Sequence, residues 1–501
     1  LLPGQGAAPN LFGEGLLGTE QGAGILVLAQ DGAFDATASR IDGFTILNAD
    51  VGGGIMVNGY AHNLEISNNL VTQNSGALHG GIRVGTPLLP TTGDGPFAYN
   101  TGVTIHHNLI TRNGAIGEQG AGGGVSLNTG SDDYTVSENF ICGNFTSGDG
   151  AGIGHLGLSD NGTIASNDIL FNQSFNPGFT RSGGGIYVGG EAPAPPFLSL
   201  GAGTVTIEGN RIQGNQAGAG HGGGIRAEYF NGRDVELNEP AAALWYRLNI
   251  TNNMIVDNVA GWSGGGISLQ DVAKGNIIHN TIAHNDSTAT VGALIDGVTN
   301  TSTPQPAGIS SAPHSAGLGV LIPGNADFSH PTLTHNVIWQ NRAFSYDASG
   351  ATARLVPVLA PAAVGECAEG ATFWDLGVLG GVDVLRPEWS IVTDVTGLSQ
   401  TNRAWDPEFI DGYCNGTREL GELAPMGVAQ AFGEGGNFVD LRYGPLTQGA
   451  WDYHLGAASP AIDYHPTGQG GGWPPHTFVT VDIDDDPRGT RVDVGADEVV
   501  E

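Results

Sequence analysis

Short apolar segments recur along the chain, and asparagine or glycine residues separate them. The pattern I-x-x-N-x-[IV]-x-x-N, in which x is any residue, occurs as ISNNLVTQN from Ile66 and as ITNNMIVDN from Ile250. Further copies begin at Ile105, Val136, Ile164, Ile207, Ile277 and Leu333, and a degenerate copy begins at Ile41. The apolar pieces are too short for helices and lack the 3.6-residue period, so the pattern predicts strands.

A glycine cluster and then an apolar residue follow most of these copies. Examples are SGGGIYVGG at residues 182–190 and HGGGIRAEY at residues 221–229. Each repeat therefore contains three short strands. We interpret the glycines as a corner of the scaffold where the backbone bends tightly, because a phosphate-binding loop would need a helix after it and none follows.

The repeats start between 25 and 56 residues apart, so insertions of variable length join a constant apolar frame. This combination predicts an all-β fold, a right-handed parallel β-helix of about ten coils, with three strands per coil and about 4.8 Å between coils. Recurrent asparagines predict two ladders, because asparagine tolerates the left-handed conformation and its amide can bond the next coil. The first ladder comprises Asn69, Asn108, Asn139, Asn167, Asn210, Asn253, Asn280 and Asn336. The second comprises Asn74, Asn113, Asn144, Asn172, Asn215, Asn258, Asn285 and Asn341.

The repeats resemble those of the pectate-lyase-like superfamily of parallel β-helix proteins over roughly residues 20–342. The alternation of Gly-Gly-x-Ile with the asparagine units is similar to that of large secreted or surface bacterial β-helix proteins. This resemblance is specific for the fold and unspecific for function.

The end of the chain carries a second pattern. It reads SPAIDYHPTGQGGG at residues 459–472 and VDIDDDPRGTRVDVGADEVV at residues 481–500, and it resembles the C-terminal segment of secreted bacterial β-helix proteins that end in surface anchors. We divide the chain into a β-helix at residues 1–342, irregular last coils and loops at 343–455, and a C-terminal capping segment at 456–501. A cap is expected because an open stack would expose strand edges.

The charge of the chain excludes one class of partner. A formal charge of −33 and a single lysine, Lys274, argue against nucleic acid, which requires clusters of basic residues. No apolar run is long enough to span a membrane. The acidic composition is typical of a secreted or cell-surface protein. Among the three cysteines, Cys367 and Cys414 could pair while Cys142 stays buried, although the sequence does not fix the connectivity.

The residue after the apolar residue of each glycine-led strand is expected to face outward, since side chains alternate along a strand. This column reads Met56, Arg83, Ser126, Gly154, Tyr187, Arg226, Ser268 and Ser310, and Asn128, Glu228 and Gln270 follow two residues later on their strands. Long insertions cluster at the next corner and would form a groove. Candidate ligand-binding residues are therefore Tyr187, Arg226, Glu228, Ser126, Asn128, Ser268 and Gln270, a set suited to carboxylated or hydroxyl-rich sugars; ordinary solvated surface residues are the alternative.

The resemblance implies two possible kinds of catalysis. Lyases of the superfamily abstract a proton with arginine or lysine beside calcium, which makes Arg226, Arg83 and Lys274 the candidates, with Glu228, Asp234 or Asp271 as calcium ligands. Hydrolases of the fold use aspartates on adjacent coils, and the outward column contains no aspartate. Lys274 also fits a solvated turn.

The best candidate cation ligands are the alternating carboxylates Asp482, Asp484 and Asp486, since oxygen ligands suit Ca²⁺. A solvated acidic turn is the alternative. His79, His221, His106 and His107 do not supply three ligands at compatible spacing for zinc or copper.

These observations favour an extracellular or cell-surface bacterial scaffold that is not an enzyme and works in adhesion, glycan contact or self-assembly. Its partners would be a polysaccharide or another surface protein, and open coil ends would permit a homo-oligomer or filament. The alternative is a carbohydrate-active enzyme, a polysaccharide lyase or a glycoside hydrolase, acting on an acidic polysaccharide in the outer groove.

Overall fold

The computed structural model is a parallel β-helix whose core runs along the stacked coils. It describes residues 22–27, 34–57, 61–85, 99–117, 121–176, 179–193, 196–322, 327–360, 365–381, 383–414, 452–464, 479–489 and 492–499. The predicted all-β fold is confirmed, and a ten-stranded sheet in its walls agrees with the expectation of about ten coils.

The strands that follow the glycine clusters form one wall of parallel strands, which we call the glycine face. Its strands, in order along the stack, are Ile25–Val27, Ile55–Val57, Ile82–Val84, Val125–Asn128, Ile153–Leu156, Ile186–Gly189, Ile225–Glu228, Ile267–Leu269, Ile309–Ser311 and Leu376–Val378. The first residues of these strands pair across coils, as in Ile186 with Ile225 and Ile225 with Ile267. Most of these first residues are buried in the central core, whereas Ile25 and Leu376, at the two ends of the sheet, are half-buried against it.

The repeat around the asparagines builds two further walls. The second face consists of Arg40–Asp42, Glu65–Ser67, Thr104–His106, Thr135–Ser137, Gly162–Ala165, Val205–Glu208, Leu248–Thr251, Gly275–Ile278 and Thr332–Thr334. The third face consists of Thr45–Leu47, Leu70–Thr72, Leu109–Thr111, Phe140–Cys142, Asp168–Leu170, Arg211–Gln213, Met254–Val256, Thr281–Ala283, Val337–Trp339 and Ile391–Val392.

The structure adds a fourth, short face to the three strands that we expected in each coil. Its two-residue strands are Ser75–Gly76, Gly114–Ala115, Phe145–Thr146, Gln173–Ser174, Gln216–Ala217, Val259–Ala260, Asp286–Ser287 and Arg342–Ala343. Small or polar residues hold most of these positions, so hydrophobic periodicity does not reveal them.

Both asparagine ladders are present at the corners of the third face. In the second ladder, Asn258 Nδ2 donates to Asn285 Oδ1 at 3.0 Å, and Asn215 Nδ2 donates to Asn258 Oδ1 at 3.0 Å. This ladder ends on a carboxylate, because Asn341 Nδ2 donates to Asp375 Oδ1 at 2.8 Å. The local conformation differs from our expectation. The left-handed residue is the one before the ladder asparagine, as at Asp257 with φ 58°. The asparagine amide is thus used for cross-coil bonding.

Few elements lie outside the stack. The strand pair Phe34–Asp35 and Ala61–His62 is parallel, whereas Phe409–Asp411 pairs antiparallel with Asp452–Leu455. A four-stranded antiparallel sheet contains Ile295–Asp296, Thr301–Ser302, Ser345–Asp347 and Arg354–Val356. Helix α1 spans Arg233–Asn238, and 3₁₀ turns span Ala242–Leu244, Gly292–Leu294 and Gly319–Leu321. None of the helices in the described ranges is long and apolar enough to cross a membrane.

The described part of the C-terminal region packs along the side of the stack, on the third face. Tyr453 and Ala496 join a buried cluster with Met254, Val256 and Ala283, whose side chains point out from that face. The amide of Gly495 donates to the His335 carbonyl at 3.0 Å. These contacts lie on the side of the stack.

Cys367 and Cys414 form a disulfide, which settles the pairing that the sequence left open. Cys142 lies outside this disulfide and is half-buried, which differs from the buried position that the sequence predicts. The disulfide ties Cys414 to the segment just before Leu376–Val378, the last strand of the glycine face.

Candidate functional site

The outward column of the glycine face has the register that alternation predicts. Arg226 pairs with Tyr187 in the preceding coil and with Ser268 in the next coil. These side chains are not solvated, however. Arg226 is 2% exposed and Tyr187 is 4% exposed, because corner residues and long loops cover this part of the face. An exposed sheet with ordinary surface residues is therefore wrong for these positions.

Arg226 lies at the centre of a polar network. Its Nη1 donates to Ser268 Oγ at 2.9 Å, and its Nη2 donates to Gln270 Oε1 at 2.6 Å. Nη2 also lies 3.1 Å from Glu228 Oε1, which makes an ion pair on one strand. Nε is buried and has no hydrogen-bond partner. The guanidinium is thus held in one orientation by three acceptors.

Tyr187 extends the network to the preceding coil. Its hydroxyl donates a long hydrogen bond of 3.4 Å to Glu228 Oε2. Burial raises the pKa of Tyr187 well above its ordinary value, and the negative charges of Glu228 and Asp149 add to the effect. The phenol therefore stays protonated as a hydrogen-bond donor at neutral pH.

A second carboxylate, which sequence reasoning missed, enters from the corner before the glycine-led strands. Asp149 Oδ1 accepts the amide of Ser182 at 2.7 Å, and its Oδ2 lies 3.2 Å from Arg181 Nη1. Burial raises the pKa of Asp149 to about 6, although the charge of Arg181 opposes this shift. Glu228 contributes to the raised pKa, so the two carboxyl groups act on each other electrostatically.

Aromatic rings complete this side of the site. The rings of His221 and Trp262 stack with their centroids 4.5 Å apart, and His221 Nδ1 lies 2.8 Å from Ser263 Oγ. Burial lowers the pKa of His221 well below its ordinary value, and the nearby Arg226 charge lowers it further. The imidazole is therefore neutral at pH 7.

These groups surround a cavity of about 460 Å³ over the glycine face. Tyr187, Arg226 and Glu228 form its floor, and the residues that wall it include Asp149, Thr180, Arg181, Ser182, His221 and Trp262 on one side and Gly190, Ala192, Tyr229 and Gln270 on the other. Leu156 and Gln270 mark its extent, which covers four consecutive coils, or about 14 Å along the stack. The cavity is elongated and predominantly polar.

The other predicted site residues are distributed differently. Ser268 lies in the coil next to Arg226 and accepts a hydrogen bond from it. Asn128 and Ser126 are not among the residues that line the cavity, and Asn128 Nδ2 donates a hydrogen bond of 3.2 Å to Ser126 Oγ. Arg83 is four strands from Arg226, and its Nε donates to the Gly85 carbonyl at 2.8 Å. Burial lowers the pKa of Arg83 to about 10. Lys274 Nζ donates to the Ala242 carbonyl at 2.7 Å and so anchors a 3₁₀ turn.

The calcium ligands that the lyase hypothesis requires have separate partners. Asp234 accepts the amides of Gly232 and Tyr246 at 2.7 and 2.9 Å. Asp271 accepts the amide and the hydroxyl of Ser315 at 2.7 and 2.6 Å. These carboxylates stabilise loops at the corner after the glycine face.

Two aspartates of the acidic turn, Asp482 and Asp484, have separate contacts. Asp482 Oδ1 accepts the amides of Asp484 and Asp486 at 2.9 and 2.8 Å, and its Oδ2 accepts the amide of Glu498 at 2.9 Å. Asp482 is therefore a turn-stabilising residue. The carboxylate of Asp484 lies instead beside His454.

The sequence pattern does not identify Asp149, Arg181 and Trp262, because they lie in corner segments of irregular length. In these segments the repeat does not predict which side chains face outward. The available signal was their position just before a glycine cluster, as in GDGAGIGHL, RSGGG and WSGGG.

Comparison of the chain with protein-family models, with curated proteins and with solved structures found no match.

Proposed function

We propose that this protein is an extracellular β-helix that binds a carbohydrate chain in the cavity over the glycine face. The observation that carries this proposal is the grouping of Glu228, Asp149, Tyr187 and Trp262 around one elongated polar cavity. Carboxylate oxygens accept hydrogen bonds from sugar hydroxyls, and aromatic rings pack on the apolar faces of sugars. The disulfide between Cys367 and Cys414 supports an oxidising, extracellular location.

The charges in the cavity favour a neutral saccharide. Each arginine is already paired with a carboxylate, Arg226 with Glu228 and Arg181 with Asp149, so neither guanidinium is left to bind the carboxylate of a uronic acid. The chain also carries a formal charge of −33, which repels polyanions. This differs from the acidic polysaccharide that the sequence suggested for the enzyme alternative.

Binding of polysaccharides tests the proposal directly. The protein is passed through native gels that contain neutral or acidic polysaccharides, and retardation in neutral gels is expected. Trp262→Ala and Glu228→Gln should abolish the retardation, whereas Glu236→Gln, which changes an exposed carboxylate on α1, should not. The absence of retardation in any neutral gel, or undiminished retardation of Trp262→Ala, would overturn the proposal.

One observation favours hydrolysis as a second function. Burial raises the pKa of Asp149 to about 6, so a fraction of this carboxyl retains its proton near neutral pH, and Glu228 is a second carboxylate in the same cavity. Glycoside hydrolysis requires one carboxyl group that donates a proton and another that acts as base or nucleophile. Release of reducing ends from a bound polysaccharide is the expected result, and Asp149→Asn should abolish this release while it only weakens the retardation in native gels. If the polysaccharide stays intact after prolonged incubation, the hydrolase function is ruled out and the binding function remains.

The lyase alternative has less support. A lyase needs an arginine or lysine that is free to take a proton, and Arg226 is bound to Ser268, Gln270 and Glu228. Unsaturated products from a uronate polymer would be the evidence for that alternative.

A further inference from the structure

A histidine and two carboxylates meet in the C-terminal region, far from the cavity in the sequence. His454 lies in the strand Asp452–Leu455, Asp484 in the acidic turn, and Asp497 near the end of the described chain. Their ligand atoms all lie within 4.8 Å of one another. His454 Nε2 and Asp484 Oδ2 are 2.9 Å apart. Three separate segments thus bring metal-ligating groups to one point.

The orientation of the His454 ring supplies an independent observation. Its Nδ1 contacts the Asp452 carboxylate, which also accepts the His454 amide at 3.0 Å. Nε2 is buried and makes no hydrogen bond of acceptable geometry, although the Asp484 oxygen is close to it. In the tautomer that donates Nδ1–H to Asp452, a lone pair on Nε2 faces a carboxylate. A cation between them relieves that repulsion, and a carboxylate behind the ring is the usual support of a metal-binding histidine.

Asp497 is also oriented for coordination. Its Oδ2 accepts the amide of Leu455 at 2.7 Å, and the residue is 6% exposed. This hydrogen bond fixes the orientation of the Asp497 carboxylate. Its other oxygen can therefore coordinate a metal at little further cost in side-chain entropy.

We propose that His454, Asp484 and Asp497 bind a divalent transition-metal ion, with Asp452 as the residue that positions His454. One imidazole nitrogen and two carboxylate oxygens suit Zn²⁺, which takes three protein ligands at about 2.0–2.2 Å and leaves a fourth position for water. Ca²⁺ prefers six to eight oxygen ligands and is less suited to this set. The proposal therefore shares only Asp484 with the calcium site that the sequence suggested.

The metal would fasten the acidic turn and Asp497 to a strand that packs on the stack. Tyr453, between Asp452 and His454, is buried on the third face, where its hydroxyl donates to Asp257 Oδ2 at 3.1 Å. A metal that joins this strand to the acidic turn and to Asp497 links three segments. Such a link adds its binding free energy to the stability of the folded region.

Calorimetric titration of chelator-treated, untagged protein tests the site. One Zn²⁺ per chain is expected to bind, and His454→Gln and Asp484→Asn should abolish this binding. Asp452→Asn should weaken it about 10–100-fold, the usual effect of losing the partner of a ligating histidine. Asp486→Asn is the matched control, because it lies in the same turn, is exposed and stands outside the ligand group, and it should bind Zn²⁺ as the unaltered protein does.

Three results would overturn the proposal: no stoichiometric Zn²⁺ binding, Zn²⁺ binding that His454→Gln leaves unchanged, or a Ca²⁺ site that Asp486→Asn removes and His454→Gln does not. Circular dichroism and thermal unfolding of the metal-free variants exclude misfolding as the cause of lost binding. Should His454→Gln fail to fold, Asp452→Asn gives the deciding titration. Addition of Zn²⁺ should also raise the Tm of the unaltered protein and leave the Tm of Asp484→Asn unchanged.

Discussion

Arg226 and Glu228, which are alternate residues of one strand, form an ion pair of 3.1 Å in which the guanidinium is 2% exposed. Both side chains leave the same side of the glycine face. The pair therefore fixes the floor of the cavity. The carbohydrate binding that we propose would then cost little conformational entropy at these side chains.

Arg226→Met should lower the free energy of unfolding by about 3 kcal/mol, the lower end of the range for a broken buried ion pair. The loss is moderated because the Glu228 side chain is 23% exposed and can be partly hydrated. Arg233→Met is the control, since Arg233 and Glu236 are about half exposed and 3.8 Å apart, and it should cost less than about 1 kcal/mol. Urea denaturation followed by fluorescence measures both. Equal losses for the two variants would contradict the central role of Arg226.

Asp257 should make stability depend on pH. Its Oδ2 accepts hydrogen bonds from Gln213 Nε2 and from the Tyr453 hydroxyl, each at 3.1 Å, and burial raises its pKa to about 8. An unfolded aspartate titrates near pH 4. Between about pH 4 and about pH 8 the folded chain keeps a proton on Asp257 that the unfolded chain has lost. The free energy of unfolding is therefore higher at low pH, and it falls as the pH rises from about 4 to about 8.

Asp257→Asn removes that titration and should flatten the pH dependence of the denaturation midpoint between pH 5 and pH 8. Asparagine also suits the left-handed backbone at this position, where φ is 58°. The exposed Asp50→Asn variant should keep the slope of the unaltered protein. A slope that Asp257→Asn leaves unchanged would show that another group carries the pH dependence.

The sequence was sufficient for the core of the fold because one residue pattern is repeated in every coil. Ile186, Ile225 and Ile267 stack as predicted, and so do the residues that follow them. The short fourth face was missed, since pairs such as Gln216–Ala217 and Asp286–Ser287 carry no apolar alternation. The repeat specifies inward positions well, because a wrong register would expose the whole apolar set.

The candidate site was only partly predictable for the same reason. Alternation along the strands identified Tyr187, Arg226 and Glu228, which obey the repeat. Asp149 and Trp262 lie in corners of irregular length, and their approach depends on how each corner folds. His454 meets Asp484 and Asp497 only through packing of the C-terminal region on the third face, which no local pattern encodes.

The asparagine ladder should be costly to interrupt at its centre. Asn258 Nδ2 donates to the Ile212 carbonyl at 2.9 Å and to the next asparagine, while its Oδ1 accepts the backbone amide of Asn215 at 2.9 Å. Asn258→Ala leaves buried polar groups in two neighbouring coils without partners, so we expect a loss of about 2–4 kcal/mol. Asn276→Ala, which removes one half-buried bond of 2.8 Å to Asn249, should cost less than about 1 kcal/mol. Denaturant midpoints that do not separate the two variants would argue against the ladder as a stabilising element.

The cysteines should react in two classes. Thiol titration of the denatured, unreduced protein should find one thiol, Cys142, and three thiols after reduction. Reduction should lower the free energy of unfolding by about 2–4 kcal/mol, the usual contribution of a disulfide. Cys142→Ser should leave both the disulfide and the stability nearly unchanged, because Cys142 is only half-buried. Three thiols without reductant would mean that the pair does not form.

Arg342 and Asp286 form the most completely buried ion pair among those of the described residues, and breaking it should have the largest effect of these variants. Arg342 Nε and Nη2 each donate to an Asp286 oxygen at 2.7 Å, and the two side chains are 1% and 0% exposed. Arg342→Met leaves the carboxylate buried without its charge partner, so a loss of about 3–5 kcal/mol is expected. The double variant Asp286→Asn/Arg342→Met removes both charges and should recover a large part of that loss, since a buried pair gains little over uncharged residues of similar size once desolvation is included. Chemical denaturation of the single and double variants decides this, and a double variant less stable than Arg342→Met would mean that Asp286 stabilises the coil through its other contacts.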